Sequence, residues 1–447
     1  MSILILVVCM SFIMLSLHFD KRIYNPIVLF DLWWGSTIFI SGFGFYGIYI
    51  PSTTTYLIML AAIISFNIPF IFTLVVNGKK VFDFKPEPDI ATDDNLKTLI
   101  KYLIGFQVLI IIDLIRHSIR VLQLLASGMH YERIRHEYFY TNHIMSMSDK
   151  LISSYMVIPL ITFSMIIIAL LFLQKPYNKI LMITTTLCVG LSAFSSGGRG
   201  ILLTFGLITL LAYLIQSRQI KTTLVLKLKL LAFLAIVIGF LVYITTARGT
   251  SVNSNDILHT VILYFTAPYI YFEKLYKHVL QDNVLLFGGG FFGGIIDFFM
   301  LAYKFISGTD FNTMAQNIAK YSQNYVVIGV GVNSKYNAFP TMVYTFFYDF
   351  GYLGMILGPL LFGTLAMCSY KKMIISNRLA YKGIYIVIAL MIYHSVMKWE
   401  GISAVPWIAI GMFLVYGFFD TKGISQLIRL KDEIRKRVRC LKKREIT

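Results

Sequence analysis

Residues 151–173 read LISSYMVIPLITFSMIIIALLFL, a run of 23 residues without a charged side chain. An α-helix rises about 1.5 Å per residue, so a run of this length spans the roughly 30 Å hydrocarbon core of a bilayer. Within that core the backbone N–H and C=O groups must bond to each other, which favours a helix. This stretch therefore predicts a membrane-spanning helix.

Apolar runs of this kind recur along the whole chain. Of the 447 residues, 57% are hydrophobic and 14% are charged, and the mean hydropathy is +0.72. A soluble protein could not cover that much apolar surface, so this composition excludes the soluble globular class. We expect an all-α polytopic membrane protein, a single domain over residues 1–447, with about eleven transmembrane helices: 2–19, 27–49, 55–76, 98–117, 151–173, 180–195, 201–216, 230–246, 341–366, 383–397 and 402–419.

The positive charge of the chain is unevenly placed. The net charge is +18, and one set of alternate loops, with the C-terminal tail and Lys101 just inside a span, holds 27 of the 40 Lys and Arg residues. By the positive-inside rule this face is cytoplasmic, which predicts a periplasmic N-terminus and a cytoplasmic C-terminus. We expect the basic tail 420–447 to contact anionic membrane lipids, and no feature of the chain calls for nucleic acid.

Two segments on the opposite face are long, residues 118–150 and the large periplasmic loop 247–340. A loop of this size is usually folded and functional. Within the second loop, the sequence predicts a pair of interfacial helices over 257–278 that is broken at Pro268. The Gly-rich stretch 287–294 lacks the Lys-Ser/Thr of a phosphate loop, so it favours a bend or close helix packing within a re-entrant segment, 284–306.

Arg133, Arg135, Arg199 and Arg248 are all assigned to this outer face. Arg199 and Arg248 lie where apolar runs end, beside small residues that leave the backbone accessible. A guanidinium group can hold two phosphate oxygens at once, so the pattern predicts a site for a pyrophosphate. The competing interpretation is a salt bridge to a neighbouring acid or contact with lipid headgroups.

Acid–base chemistry has several candidates on the same face. We expect the catalytic group to be Asp349, Glu273 or His394, while His259, Asp297 and Glu400 are further titratable residues there. A satisfied polar residue at a helix end is the alternative for each of them. The sequence contains no Asp-x-Asp motif, and its four cysteines lack metal-ligand spacing, so we expect neither a metal nor a cofactor.

The order of these features resembles the Wzy-type O-antigen polymerases, also called oligosaccharide repeat-unit polymerases. The resemblance rests on the Ser-Gly-Gly-Arg-Gly turn at 196–200, the large late loop, and the segment from Tyr336-Asn337-Ala338-Phe339-Pro340 to Asp349-Phe350-Gly351-Tyr352. It implies a GT-C-like glycosyltransferase of the bacterial inner membrane. The implied substrate is an undecaprenyl-pyrophosphate-linked oligosaccharide, and a chain-length regulator is an implied partner.

Other functions remain open at this point. The related O-antigen ligases carry a His-Asn pair where this chain has Tyr336-Asn337, which disfavours a ligase-like transferase. A lipid-linked oligosaccharide flippase needs charged residues deep in its spans, and here these are few, Lys101 and Asp113 among them. A membrane acyltransferase would need a deep catalytic histidine with an acid partner, for which His394 is the one candidate. Polymer formed by the purified protein would separate these alternatives.

Overall fold

A computed structural model of the chain describes residues 1–77, 93–140, 144–172, 178–217, 231, 239, 254–282, 285–308, 312–322, 324–330, 335–376 and 378–419. The predicted span 230–246, apart from two single positions, lies outside these residues. So do Arg248 and the basic tail 420–447.

The described residues form a helical protein with one very small sheet. Sixteen α-helices are present in this part of the chain: α1 Ser2–Phe19, α2 Pro26–Ser41, α3 Thr53–Asn77, α4 Asp93–Ala126, α5 Tyr131–Tyr140, α6 Met147–Ile152, α7 Ile158–Phe172, α8 Lys179–Ser196, α9 Gly200–Gln216, α10 Ser254–Asp282, α11 Gly293–Ser307, α12 Met314–Ser322, α13 Met342–Phe350, α14 Gly354–Ser376, α15 Leu379–His394 and α16 Ala404–Phe419. A π-helical turn, Ser153–Val157, joins α6 to α7. Strands β1 (Val326–Val327) and β2 (Lys335–Tyr336) pair antiparallel.

Six segments of the described chain are long and apolar enough to cross a membrane: Ser2–Phe19, Thr53–Val76, Asn95–Ala126, Met147–Phe172, Lys179–Ser196 and Met342–Ser376. Four shorter apolar helices accompany them: Pro26–Ser41, Gly200–Gln216, Leu379–His394 and Ala404–Phe418. The predicted class, an all-α polytopic membrane protein, is confirmed at this level. The number of eleven spans stays a prediction, because 230–246 falls outside the described residues.

Several helix boundaries differ from the predicted ones. Helix α2 ends at Ser41, well before the predicted residue 49. The predicted span 98–117 continues as α4 to Ala126, so the outer segment 118–150 begins as helix. The predicted span 341–366 is interrupted at Gly351, whose φ of +59° is a left-handed conformation that glycine adopts without steric cost.

The predicted helix pair over 257–278 is instead one continuous helix, α10. Pro268 removes one backbone hydrogen bond but lies in a buried stretch, 266–272, that packs toward α2. Trp34 of α2 meets the ring of Tyr269 at 6.1 Å, and Thr37 and Tyr269 share a hydrogen bond of 2.6 Å. Tertiary packing on both sides of the proline therefore keeps the helix unbroken.

The α8–α9 turn lies at the same end of the bundle as the chain that leads into α6. Phe194, in the last turn of α8, packs in one cluster with Ile144 and Met145. At the far end of α9, the side-chain amide of Gln216 donates to the carbonyl of Leu170, near the end of α7, at 3.0 Å. Helices α7 and α9 therefore both run away from the α8–α9 turn.

The turn between α15 and α16 lies at this end too. The ring of Tyr155 is 5.6 Å from that of Phe298 in α11, and Gly293 at the start of α11 faces Ile402. We call this end of the bundle the loop end and define it by residues 144–157, 197–199 and 394–403.

The α15–α16 turn lies deeper in the bundle than the ends of the longer helices beside it. Helices α15 and α16 have 16 residues each, about 24 Å, whereas α3 has 25 and α14 has 23, about 35 Å. Trp399 in the turn packs on Phe362, which lies about 12 Å along α14 from Gly354. The short hairpin thus ends well inside the bundle, and Phe346 of α13 and Phe291 pack onto Trp399 to fill the space beside it.

Candidate functional site

Arg199 lies in the tight turn that joins α8 to α9. Gly197 ends α8 with a left-handed φ of +60°, and the N–H of Gly198 donates to the Ser196 hydroxyl at 3.1 Å. The chain therefore reverses within three residues, and Arg199 becomes the N-cap residue of α9. Its side chain is half-buried at the loop end.

Helix α5 packs beside this turn and carries the next two predicted arginines. Ile134 and Tyr138, one turn apart, are buried against the end of α8, and the Tyr138 hydroxyl is hydrogen-bonded to Ser195. Arg133 and Arg135 flank the buried position and are both exposed. The structure thus brings α5 and the Arg199 turn together, while Arg248 lies outside the described residues.

An ion cluster that the sequence interpretation missed joins α4 to α6. The Arg116 guanidinium lies 2.8 Å from Asp113 and 2.8 Å from Asp149, and His117 Nε2 lies 3.5 Å from Asp113. Asp149 also forms a capping box with Ser146 at the start of α6. The donor atoms of Asp113, His117 and Asp149 are close enough to hold a cation. Arg116 already bridges both carboxylates, however, so the arrangement favours an electrostatic link between the two helices.

Asp349, predicted as a catalytic group, is engaged by backbone. It is buried at the end of α13, where Oδ1 accepts the N–H of Gly290 at 2.6 Å and Oδ2 accepts that of Phe291 at 2.8 Å. A Cβ on Gly290 would lie 2.9 Å from Asp349 Oδ1, so only glycine allows this approach. The carboxylate thus fixes the Gly-rich turn that leads into α11.

Glu273 and Asp297 make contacts of the same kind. Glu273 Oε2 accepts the Ser52 N–H at 2.7 Å and the Thr55 hydroxyl at 2.8 Å, at the start of α3. Burial works to raise the pKa of Glu273, but these hydrogen bonds hold it below its ordinary value. Asp297 accepts the N–H groups of Met314 and Ala315 at the start of α12, and burial raises its pKa. Both carboxylates therefore cap helices that are distant in sequence.

His394 belongs to a cluster of ionic side chains with Lys398 and Glu400. Glu400 Oε1 lies 3.1 Å from Lys398 Nζ and 3.6 Å from His394 Nδ1. Burial works to raise the pKa of Glu400, but the charges of Lys398 and His394 hold it below its ordinary value. The Lys398 ammonium also lies 5.7 Å from the centre of the Phe339 ring, which follows the Tyr336-Asn337 pair.

The backbone that carries this cluster is held from several sides. The Trp34 indole donates to the Ser395 hydroxyl at 2.8 Å, and the Met342 N–H donates to the Ser395 carbonyl at 2.9 Å. Beyond the cluster, the Trp399 indole donates to the Phe291 carbonyl at 2.9 Å. Groups fixed in this way lose little orientational freedom when a ligand binds, which suits a reactive site.

The structure separates the three predicted acid–base residues by environment. Asp349 holds a turn and Glu273 a helix start through backbone N–H groups, whereas His394 faces Glu400 and Lys398 in the α15–α16 turn. Lys398 and Glu400 lie four and six residues after His394 in the sequence, and this short spacing already indicated the cluster. No protein-family model, no curated protein and no solved structure matches this chain.

Proposed function

We propose that this chain is a membrane glycosyltransferase that polymerises undecaprenyl-pyrophosphate-linked oligosaccharide repeat units into a surface polysaccharide. The observation that carries the proposal is the His394–Glu400–Lys398 cluster in the α15–α16 turn at one end of an apolar helical bundle. Half-buried Arg199 and the exposed guanidinium groups of Arg133 and Arg135 on α5 lie at the same end. A titratable pair and several cations at one membrane surface suit a lipid-linked pyrophosphate.

In this mechanism the arginines hold the two lipid-linked substrates. Arg199 and Arg248 bind the pyrophosphate of the growing chain, and Arg133 and Arg135 bind that of the incoming unit. Bidentate contacts neutralise charge that builds up on the departing phosphate, where the benefit to the transition state is largest.

His394 is the general base of the proposed reaction. Its free nitrogen takes the proton from the acceptor hydroxyl while that oxygen attacks the anomeric carbon of the donor. The bond between the anomeric carbon and the pyrophosphate oxygen breaks, and its electron pair leaves with the lipid pyrophosphate. The preference for His394 over Asp349 and Glu273 rests on the helix-capping contacts of those two carboxylates.

The proposed location follows from the charge distribution. The loops opposite the loop end, with the tail, hold most of the Lys and Arg residues, which favours a cytoplasmic position for them in a bacterial inner membrane. The loop end would then face the periplasm, where lipid-linked repeat units are joined. Thiol labelling of the Gly198→Cys variant tests this orientation. The orientation would be contradicted if a reagent added outside the cell failed to label position 198 and a reagent in the cytosol labelled it.

Purified protein supplied with lipid-linked repeat units in detergent tests the reaction. We expect wild type to form a ladder of polymer and Arg199→Ala to form no long chains while folding normally. Arg378→Ala, at the opposite end of the bundle, is the matched control and should keep the wild-type ladder. Arg199→Lys asks whether a point charge suffices or the two-oxygen contact is needed.

The outcomes separate the alternatives. Wild-type ladder length in Arg199→Ala would remove Arg199 from the mechanism. Absence of polymer with wild-type protein, together with movement of labelled units across a vesicle membrane, would replace the proposal with a flippase.

A further inference from the structure

One carboxylate oxygen is shared by two groups in the α15–α16 turn. Glu400 Oε1 lies 3.1 Å from the Lys398 ammonium, an ion-pair distance, and 3.6 Å from His394 Nδ1. The second separation exceeds a hydrogen bond, and the imidazole is also within reach of the Leu390 backbone carbonyl. A small movement of Glu400 toward His394 would bring its carboxylate within hydrogen-bond distance of Nδ1.

Lys398 is the member of the cluster that a ligand can reach. Its side chain is 41% exposed, against 19% for His394 and 18% for Glu400. The Phe339 ring lies on one side of the ammonium and can remain there when a ligand approaches. An anion that binds Lys398 competes directly with Glu400 for the same positive charge.

We propose that Lys398 binds a phosphate group and that its occupation releases Glu400 to accept a hydrogen bond from His394 Nδ1–H. Glu400 is then a positioning residue: it fixes the tautomer in which Nε2 of His394 is unprotonated and free to take a proton. The protein would become competent for proton transfer only when the phosphate-bearing substrate is in place. The identification of that phosphate with the donor lipid pyrophosphate rests on the proposed function, whereas the coupling itself does not.

The groups that face His394 limit what can produce this change. Glu400 and Lys398 are the charged groups that face it among the described residues, the Tyr393 ring packs against the imidazole at 5.2 Å, and the Leu390 backbone carbonyl is within hydrogen-bond reach. The Leu390 carbonyl is part of the α15 backbone and stays in place when Glu400 moves. The Glu273 and Asp349 carboxylates accept backbone N–H groups elsewhere. A change in the His394 tautomer therefore reports on Glu400.

The test uses the full-length protein in detergent with 15N-labelled histidine and inorganic pyrophosphate as the probe, at pH 8. The chain has 8 histidines, and His394→Gln identifies the signal of interest. In wild type we expect pyrophosphate to convert His394 to the Nδ1–H tautomer. In Lys398→Met, Glu400 has lost its cation, so we expect the Nδ1–H tautomer without pyrophosphate and no further change when pyrophosphate is added.

Two further variants keep the test decisive. Lys398→Arg retains the charge and should bind pyrophosphate within about threefold of wild type, a difference below 1 kcal/mol. Lys371→Met, at the opposite end of the bundle, is the matched control and should behave as wild type. If Lys398→Met folds poorly, the double variant Lys398→Arg, Glu400→Leu replaces it. Without Glu400, the His394 tautomer should no longer respond to pyrophosphate, while pyrophosphate should still bind.

The inference is overturned if the His394 tautomer of wild type does not respond to saturating pyrophosphate, or if Lys398→Met without pyrophosphate keeps the tautomer of unliganded wild type. Its failure is distinguishable from failure of the proposed function. Normal polymer formation by Lys398→Met would remove the coupling and leave a polymerase. A pyrophosphate-driven tautomer change in a protein that forms no polymer would keep the coupling and remove the polymerase.

Discussion

The loop end contains two kinds of acidic residue that look alike in the sequence. Asp349, Asp297 and Glu273 each accept hydrogen bonds from a distant backbone N–H, and so hold turns and helix starts in place. Glu400 contacts the ionic side chains of Lys398 and His394. A carboxylate that accepts hydrogen bonds from fixed backbone N–H groups stabilises the fold. A carboxylate whose partners are side chains can change partners when a ligand binds.

The largest expected effect is that of a substitution at His394, in the cluster held by side chains. We expect His394→Gln to lower the polymerisation rate by about 10²- to 10⁴-fold, the usual contribution of a general base. The melting temperature in detergent should stay near that of wild type, because the N–H groups of Met397 and Lys398 donate to the backbone carbonyl of residue 394, which the substitution keeps. Activity within tenfold of wild type would remove His394 as the base.

Asp349→Ala removes a carboxylate that is held by backbone N–H groups. Two buried N–H groups lose their acceptor, at about 1–3 kcal/mol each, so we expect a loss of about 3 kcal/mol of stability. Thermal unfolding followed by size-exclusion chromatography measures it, and Asp349→Asn, which keeps one acceptor oxygen, should fall between. An Asp349→Ala protein that melts as wild type but is inactive would make Asp349 a reactive residue.

Gly290→Ala probes the same contact from the other side. The new Cβ would lie 2.9 Å from both Asp349 Oδ1 and Thr345 Cγ2, so something must shift, and we expect a cost of about 2 kcal/mol. Gly200→Ala is the matched control, since a Cβ there meets nothing within 4 Å. Equal melting temperatures for the two variants would show that the Gly-rich turn is not tightly fixed by Asp349.

The smallest expected effect concerns Glu273. Glu273→Gln keeps an oxygen that can accept from Ser52 and Thr55 but removes the charge, so we expect a loss of about 1 kcal/mol of stability. The polymerisation rate should remain within twofold. A large loss of rate with an unchanged melting temperature would return Glu273 to the reactive group.

Local patterns predicted some elements well and others poorly. The run 151–173 and its counterparts identified ten apolar helices in the described chain, because an uncharged stretch of this length has few alternatives to a helix. The predicted end of the span 98–117 was wrong, because the helix continues through Ala126. Residues 118–126 mix polar and apolar side chains, so hydropathy does not show that they are helical. Pro268 did not break α10, because burial against α2 outweighed the lost hydrogen bond.

The sequence by itself determined the membrane class, most of the helices and the position of Arg199 in a tight turn, because length, hydropathy and paired glycines act locally. Only the tertiary structure decided which polar residues stabilise the fold and which form a site. Asp349 finds its N–H donors 58 and 59 residues away, and Arg116 joins Asp149 across 33 residues. Such contacts depend on how helices of unequal length pack, and one-dimensional periodicity carries no information about that.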